Sequence, residues 1–135
     1  MKSLTLPAAL EKLETVQAFI AAELEAVDCP MKAEIQIQVA VEEIYINIAR
    51  YAYYPKVGEV TVICTVGGDP LQVTIQFLDR GKPFNPLARE EVDTTLSAEE
   101  REIGGLGILM VKKSMDAVSY AYRNGVNILT IKKGW

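Results

Sequence analysis

Glu43 and Asn47 are the first two residues in the chain whose types and spacing suggest a chemical role. They stand four positions apart in segment 41–53, which its apolar pattern predicts to be helical, so both side chains lie on one face of that helix. A glutamate carboxylate can accept a proton from a nucleophile, and an asparagine amide oxygen is a hard ligand suited to Mg²⁺. The same spacing is also typical of an ordinary solvated helix edge. The pair alone leaves both interpretations open.

Asp79 is the second candidate, because it ends a predicted strand and is followed by Gly81 and Pro83. Such a loop can direct a carboxylate into a pocket while the glycine lets the backbone approach a ligand closely. A carboxylate placed there could accept a hydrogen bond from an exocyclic amine such as adenine N6. The Asp-x-Gly pattern is equally typical of a turn after a strand, so the loop by itself does not identify a site.

The third candidate is a glycine cluster at the start of a predicted helix, formed by Gly104, Gly105 and Gly107. Glycines at a helix start expose backbone N–H groups, and the helix dipole makes these attractive to phosphate. The spacing matches neither the P-loop nor the dinucleotide-binding fingerprint, which excludes both of those sites. The alternative is a glycine hinge for the acidic stretch before it, which is predicted to be a lid at about 87–103.

The elements that must position these residues follow from apolar periodicity and turn signals. Asn124-Gly125 predicts a type I′ hairpin turn, and Pro7 and Pro30 are each predicted at the first position of a helix. Mostly hairpin-connected strands, with helices in runs, predict an α+β two-layer sandwich with a mostly antiparallel sheet and helices on one face. The predicted strands are 2–6, 59–66, 71–78, 117–123 and 126–133, and the predicted helices are 8–26, 31–53 and a short one from about 104 to 115.

Composition supports one folded unit and removes several function classes. A chain of 135 residues that is 50% hydrophobic and 24% charged predicts a single domain over 1–135 with its own core. Asp and Glu number 18 against 14 Lys and Arg, so a basic surface for direct nucleic-acid binding is not expected. The absence of histidine excludes Ser-His-Asp and Cys-His catalysis, histidine metal ligands and phosphohistidine.

The two cysteines and the lengths of the apolar segments indicate the cellular compartment of the protein. Cys29 and Cys64 show no CxxC pairing, and we expect them to be reduced core thiols. The N-terminal residues lack a long apolar region, and no later stretch has the length needed to span a bilayer. The sequence therefore predicts a cytoplasmic protein without a membrane partner.

Together, and in this order, the three candidate segments resemble the motif set of the GHKL (Bergerat-fold) ATP-binding superfamily. Within it, the chain most resembles the bacterial anti-sigma-factor serine/threonine kinases of partner-switching systems. Segment 43–53 is similar to the family's N box, which implies that Asn47 coordinates Mg²⁺ and that Glu43 is the general base. The family often has histidine where this chain has Tyr51, so that residue's contribution is absent or replaced here.

The two glycine boxes of the family have similar counterparts in this chain. Segment 79–86 resembles the first box, which implies that Asp79 reads adenine and that Gly81 allows close backbone approach. Pro83 stands where the wider superfamily tends to have a second glycine, a departure that weakens the likeness to gyrase-type and chaperone members. Segment 104–108 resembles the second box, where lid and helix N-terminus close over the phosphates.

The resemblance also suggests roles outside the boxes. Thr130, on the last predicted strand, stands where the fold often contacts the adenine-bound aspartate or its water. Arg89 and Arg101 in the predicted lid are candidates for the γ-phosphate, although charge balance among many acids explains them more simply.

The function implied is that of a Mg-ATP-dependent protein serine/threonine kinase. Its expected partners are a small antagonist protein that accepts the phosphate and a sigma factor or similar regulator that is sequestered, with a homodimer as a further possibility. One alternative is a non-catalytic ATP-sensing module that only binds a partner. A catalytic core of a histidine kinase is another, but the chain has no histidine and would need its phospho-acceptor from elsewhere.

Overall fold

The computed structural model describes residues 1–88 and 103–135, and side chains within 1–87 and 107–135. Short turns of 3₁₀-helix at Leu10–Lys12 and Pro86–Ala88 and a π-helical turn at Ile48–Ala52 complete the regular structure of these ranges. In chain order the elements are β1 (Lys2–Pro7), α1 (Leu13–Glu25), α2 (Met31–Asn47), β2 (Glu59–Gly67), β3 (Gln72–Asp79), α3 (Ile103–Ser114), β4 (Ala117–Arg123) and β5 (Val126–Gly134).

The strands form an antiparallel sheet with the order β1-β2-β3-β5-β4 within the described ranges. β2–β3 and β4–β5 are the two predicted hairpins. At the second turn Asn124 has φ 52° and Gly125 has φ 78°, which confirms the type I′ prediction because both central residues of that turn need positive φ. The sheet and its helices confirm the α+β class.

The core lies between one face of the sheet and the helices. On β2, β3 and β5 alternate side chains are buried, as the pleat of a half-covered sheet requires. Tyr45 on α2 is fully buried, and its hydroxyl donates to the carbonyl of Ala9 at 2.6 Å, which ties the start of the chain to α2. The main apolar contributors are Val16, Ile20 and Leu24 of α1, Ile37, Val41 and Ile44 of α2, Val60 and Val62 of β2, Ile75 and Phe77 of β3, and Ile131 of β5.

The positions predicted for both prolines are wrong. Pro7 ends β1 instead of starting a helix, because antiparallel pairing continues to Ala8, whose N–H donates to the carbonyl of Gly58 at 2.8 Å. Pro30 lies one residue earlier than predicted, as the extended residue before α2. The α-helical part of the second helix ends at Asn47, and the π-helical turn Ile48–Ala52 fills the rest of the predicted range.

The two cysteines differ in environment. Cys64 is buried in β2, where desolvation raises the pKa of its thiol to about 11. Cys29 is partly buried in the turn between α1 and α2, and both thiols are free. Cys64 matches the expected core thiol, whereas Cys29 packs at the margin of the core. No helix in the described ranges is both long enough and apolar enough to cross a membrane.

Candidate functional site

A cleft opens between the sheet and the helices α2 and α3. It contains about 440 Å³ of space free of protein atoms, part of which is open solvent. Its walls are mainly apolar, with few polar groups. The apolar lining includes Ile44, Ile48, Phe77, Ile108 and Leu129, and the polar lining includes Asn47, Asp79 and Asn127.

Asp79 lies at the floor of this cleft, where β3 ends. Its side chain is on the helix-facing side of the sheet and the residue is only 6% exposed. Its Oδ1 accepts hydrogen bonds from the N–H of Gly81 and from Nδ2 of Asn127, both at 2.9 Å. Burial raises the pKa of this carboxyl, and the two hydrogen bonds oppose that rise. The sequence expectation that the loop directs Asp79 into a pocket agrees with this placement.

Asn127 on β5 is the site residue that the sequence analysis missed. It is 5% exposed, and its Nδ2 donates to Asp79 and to the carbonyls of Gly81 and Lys82 at 3.3 and 3.0 Å. Its Oδ1 accepts from the N–H of Phe84 at 3.3 Å and from the hydroxyl of Tyr120. A polar residue among the apolar positions of a buried strand face is the signal that could have identified it.

Thr130 does not join this group, and the expectation that it contacts Asp79 is wrong. Residues 127, 129 and 131 of β5 face the helices, so Thr130 lies on the opposite face of the sheet. There it pairs with Gln76, whose Nε2 donates to its hydroxyl at 3.4 Å. Because successive side chains of a strand face opposite sides of the sheet, Asn127, which pairs with Asp79 across β3 and β5, makes the contact with Asp79 instead.

Gly81 was predicted to let the backbone approach a ligand, and in this structure the backbone at Gly81 closely approaches the protein itself. A Cβ added to Gly81 would overlap the carbonyl group of Ala52. The next residue, Lys82, donates its N–H to that same carbonyl at 3.0 Å. The glycine thus lets the loop after β3 close against the π-helical turn that follows α2.

Glu43 and Asn47 occupy adjoining turns of α2, and both are partly buried. Desolvation and the negative charge of Glu42 raise the pKa of Glu43, and Arg50 opposes that rise. Asn47 lines the cleft. The helix therefore brings an amide to the cleft and a carboxylate of raised pKa one turn away.

Gly107 packs directly against Glu43. A Cβ added to Gly107 would overlap the end of the Glu43 side chain. Gly107 also lies a full turn inside α3, where backbone N–H groups bond back along the helix. The expectation that its amide binds phosphate is therefore wrong in this arrangement, and its role here is close helix packing.

Gly104 and Gly105 lie in the first turn of α3, where backbone N–H groups lack helical acceptors. Their position agrees with a helix that opens at the glycine cluster. The predicted lid falls mostly on 89–102, so it and the candidates Arg89 and Arg101 lie outside the described residues. At its near edge, Lys112 of α3 donates to the carbonyl of Leu87 at 3.1 Å.

Comparison with known proteins shows a family. A model of the histidine kinase-like ATPase domain matches residues 6–133. The chain is 31% identical over 101 residues to the serine-protein kinase RsbW of Listeria monocytogenes, 26% identical over 98 residues to that of Bacillus cereus, and 30% identical over 101 residues to that of Listeria innocua.

These alignments cover 71% of this chain and 61% to 63% of the relatives. The chain thus matches somewhat less than two thirds of the length of these curated proteins. The family match agrees with the sheet, the cleft and the motif order described above. The chain belongs to the family of histidine kinase-like ATPase domains, and it is similar to the serine-protein kinases RsbW.

Proposed function

We propose that this protein is a Mg-ATP-dependent serine/threonine kinase that phosphorylates a small antagonist protein and sequesters a sigma factor or similar regulator. The observation that carries the proposal is Asp79, a buried carboxylate that lines a mainly apolar cleft. Asn47 lines the same cleft and Glu43 is one turn away on α2. The similarity to proteins named serine-protein kinases supports transfer to a protein hydroxyl.

The floor of the cleft suits an adenine base. A flat heterocycle gains from the apolar walls, and the adenine amino group supplies a donor for the Asp79 carboxylate. The hydrogen bonds to Oδ1 hold this acceptor in place before any ligand arrives, which lowers the ordering cost of binding.

Asn47 is suited to hold Mg²⁺. Its amide lines the cleft and makes no hydrogen bond within the described side chains, and Mg²⁺ accepts few protein ligands beside water and phosphate oxygens. When bound, Mg²⁺ neutralises charge on the phosphates. Among the described residues no cluster of three acidic or thiol side chains offers a competing metal site.

Glu43 is proposed as the general base. The seryl oxygen of the antagonist attacks the γ-phosphorus, its proton passes to the Glu43 carboxylate, and the bond from the γ-phosphorus to the bridging oxygen breaks to release ADP. The raised pKa of Glu43 makes its carboxylate a stronger base than an ordinary glutamate. The first-turn amides of α3, at Gly104 and Gly105, are proposed to face the phosphates.

A second candidate function, an ATP-sensing module without transfer, is favoured by one contact. Gly107 packs against the end of the Glu43 side chain, and a Glu43 carboxylate that kept this contact would not be free to take a proton from a substrate hydroxyl. In this alternative ATP changes the partner-binding surface without losing its phosphate. We also propose that the protein can form a homodimer, which is compatible with either function.

Calorimetric titration of ATP and ADP, with and without Mg²⁺, tests the first premise. We expect both adenine nucleotides to bind, and we expect Mg²⁺ to increase the affinity for ATP more than the affinity for ADP. Asn47→Ala should remove this Mg²⁺-dependent increase. Gln36→Ala on the same helix is the matched control and is expected to bind as wild type. A folded wild-type protein that binds neither nucleotide contradicts the proposal, whereas a stable antagonist complex with intact ATP favours the sensing module.

A further inference from the structure

The strongest unassigned feature is a chain of side chains at the floor of the cleft, formed by Tyr120, Asn127 and Asp79. We propose that Tyr120 and Asn127 are positioning residues that fix Asp79 as a hydrogen-bond acceptor and thereby select adenine over guanine. This inference rests on the proposed ATP site and assigns its base specificity.

The surroundings of Asn127 permit one orientation of its amide. The Nδ2 side meets three acceptors, which are Oδ1 of Asp79 and the carbonyls of Gly81 and Lys82. The Oδ1 side meets two donors, the N–H of Phe84 and the hydroxyl of Tyr120. A flipped amide would oppose like groups at four of these contacts, since only the Tyr120 hydroxyl can both donate and accept, so the NH₂ group is held toward Asp79.

That orientation determines which oxygen of Asp79 is used. Within the described residues, both hydrogen bonds to this carboxylate end on Oδ1. Oδ2 is therefore the oxygen that remains for a ligand in the cleft. The Nδ2 donor of Asn127 stabilises the ionised form of the Asp79 carboxylate. Oδ2 of this carboxylate therefore remains a hydrogen-bond acceptor.

An acceptor at this point distinguishes the two purines. Adenine presents an amino group at its six position, whereas guanine presents a carbonyl oxygen there. The amino group of adenine can donate to Oδ2, but the guanine oxygen would face a carboxylate without a proton between them. A buried polar group left unpaired is strongly unfavourable, which makes the acceptor state of Asp79 a specificity determinant.

Asn127→Asp is the sharpest test because it changes the shape very little. It replaces the NH₂ donor with an oxygen beside Asp79, and repulsion between the two adjoining carboxylates favours uptake of one proton by the pair. When Asp79 carries that proton on Oδ2, this oxygen can donate to the guanine carbonyl, so selectivity should move toward guanine. Gln76→Glu makes the same amide-to-acid change on the opposite face of the sheet, where Gln76 contacts Thr130.

Tyr120→Phe tests the other end of the chain and keeps the ring that lines the cleft. It removes one of the two donors to Oδ1 of Asn127. Tyr122→Phe, two residues along β4 at an exposed position, is its matched control. Because this substitution removes only a hydroxyl, it gives a result even where Asn127→Asp fails to fold.

The readout is the ratio of ATP to GTP dissociation constants, measured by titration on protein whose thermal midpoint is recorded alongside. We expect Asn127→Asp to weaken ATP binding by about tenfold or more and to weaken GTP binding much less. Tyr120→Phe should weaken ATP binding by about threefold. Both controls should keep the wild-type ratio. Equal loss for both nucleotides, or no loss, overturns the inference while leaving the ATP site intact, whereas a wild type that does not bind ATP overturns the proposed function and this inference with it.

Discussion

The two ends of the cleft are built differently. At the floor, Asp79 and Asn127 are almost completely buried and joined by hydrogen bonds to each other and to the loop that follows β3. At the helical end, Glu43 meets Gly107 by packing alone among the described contacts. Hydrogen bonds hold the floor in one arrangement, as the proposed recognition of a base requires, whereas the helical end depends on how two helices are spaced.

Because the two ends of the cleft are held differently, they should respond differently to amino-acid substitutions. A hydrogen-bonded carboxylate in a buried network cannot move without leaving polar groups unpaired. The end of a glutamate side chain can change rotamer at little cost. We therefore expect recognition to be rigid and transfer to be sensitive to the position of α3.

The largest expected effect is on transfer, from Glu43→Gln. Loss of the base should slow phosphorylation of a cognate antagonist protein by about 100-fold or more, while ATP affinity stays close to wild type. Glu34→Gln, which removes a glutamate more than two turns earlier on α2, is the matched control. Radiolabelled phosphate transfer measures the rate, and an unchanged rate in Glu43→Gln would assign the helical end no catalytic role.

Asp79→Asn should give the next largest effect, on binding. The amide oxygen can keep the hydrogen bonds from Gly81 and Asn127, but the second oxygen becomes a donor that opposes the adenine amino group. We expect ATP affinity to fall by about tenfold or more, with the thermal midpoint unchanged or raised because a buried charge is removed. Titration and thermal unfolding measure the two quantities. Wild-type ATP affinity in this variant would show that the floor of the cleft does not read the base.

A pair of glycine substitutions compares the two ends directly. Gly81→Ala places a methyl group against the backbone carbonyl of Ala52, which cannot yield without moving the π-helical turn, so we expect a loss of about 1–3 kcal/mol in unfolding free energy. In Gly107→Ala the three atoms nearest to the new methyl group all belong to the Glu43 side chain, which can move, and alanine favours the helix by up to about 1 kcal/mol, so the stability of this variant should be close to wild type. Denaturant unfolding measures both. Equal losses would remove the proposed contrast in rigidity.

The smallest expected effect is on the pH dependence of stability. The pKa of Asp79 is raised in the folded state, so the folded protein binds more protons than the unfolded chain over the interval between the two pKa values. Stability then falls as pH rises through that interval, from the ordinary value of 3.8 upward. Asp79→Asn should flatten this part of the profile, as measured by thermal midpoints at stepped pH, and an unaltered slope would mean that the carboxyl is not desolvated in solution.

Local patterns were sufficient for the elements and for the three motif segments. Apolar alternation identified the strands, helical spacing identified α1 and α2, and Asn124-Gly125 identified the turn between β4 and β5. These features depend on neighbours within a few residues, which a sequence displays directly. The motif order on these elements was also enough to indicate the family.

Contacts between distant segments were decided by the tertiary structure alone. Asn127 instead of Thr130 meets Asp79, because the pairing of β5 with β3 determines which face each residue takes. Gly81 meets Ala52, and Gly107 meets Glu43, because helices and loops separated in the chain approach there within van der Waals distance. The sequence by itself indicated the candidate residues Glu43, Asn47 and Asp79 and the family that they resemble. Only the packing of the sheet against the helices decided which candidates touch, and it added Asn127 to them.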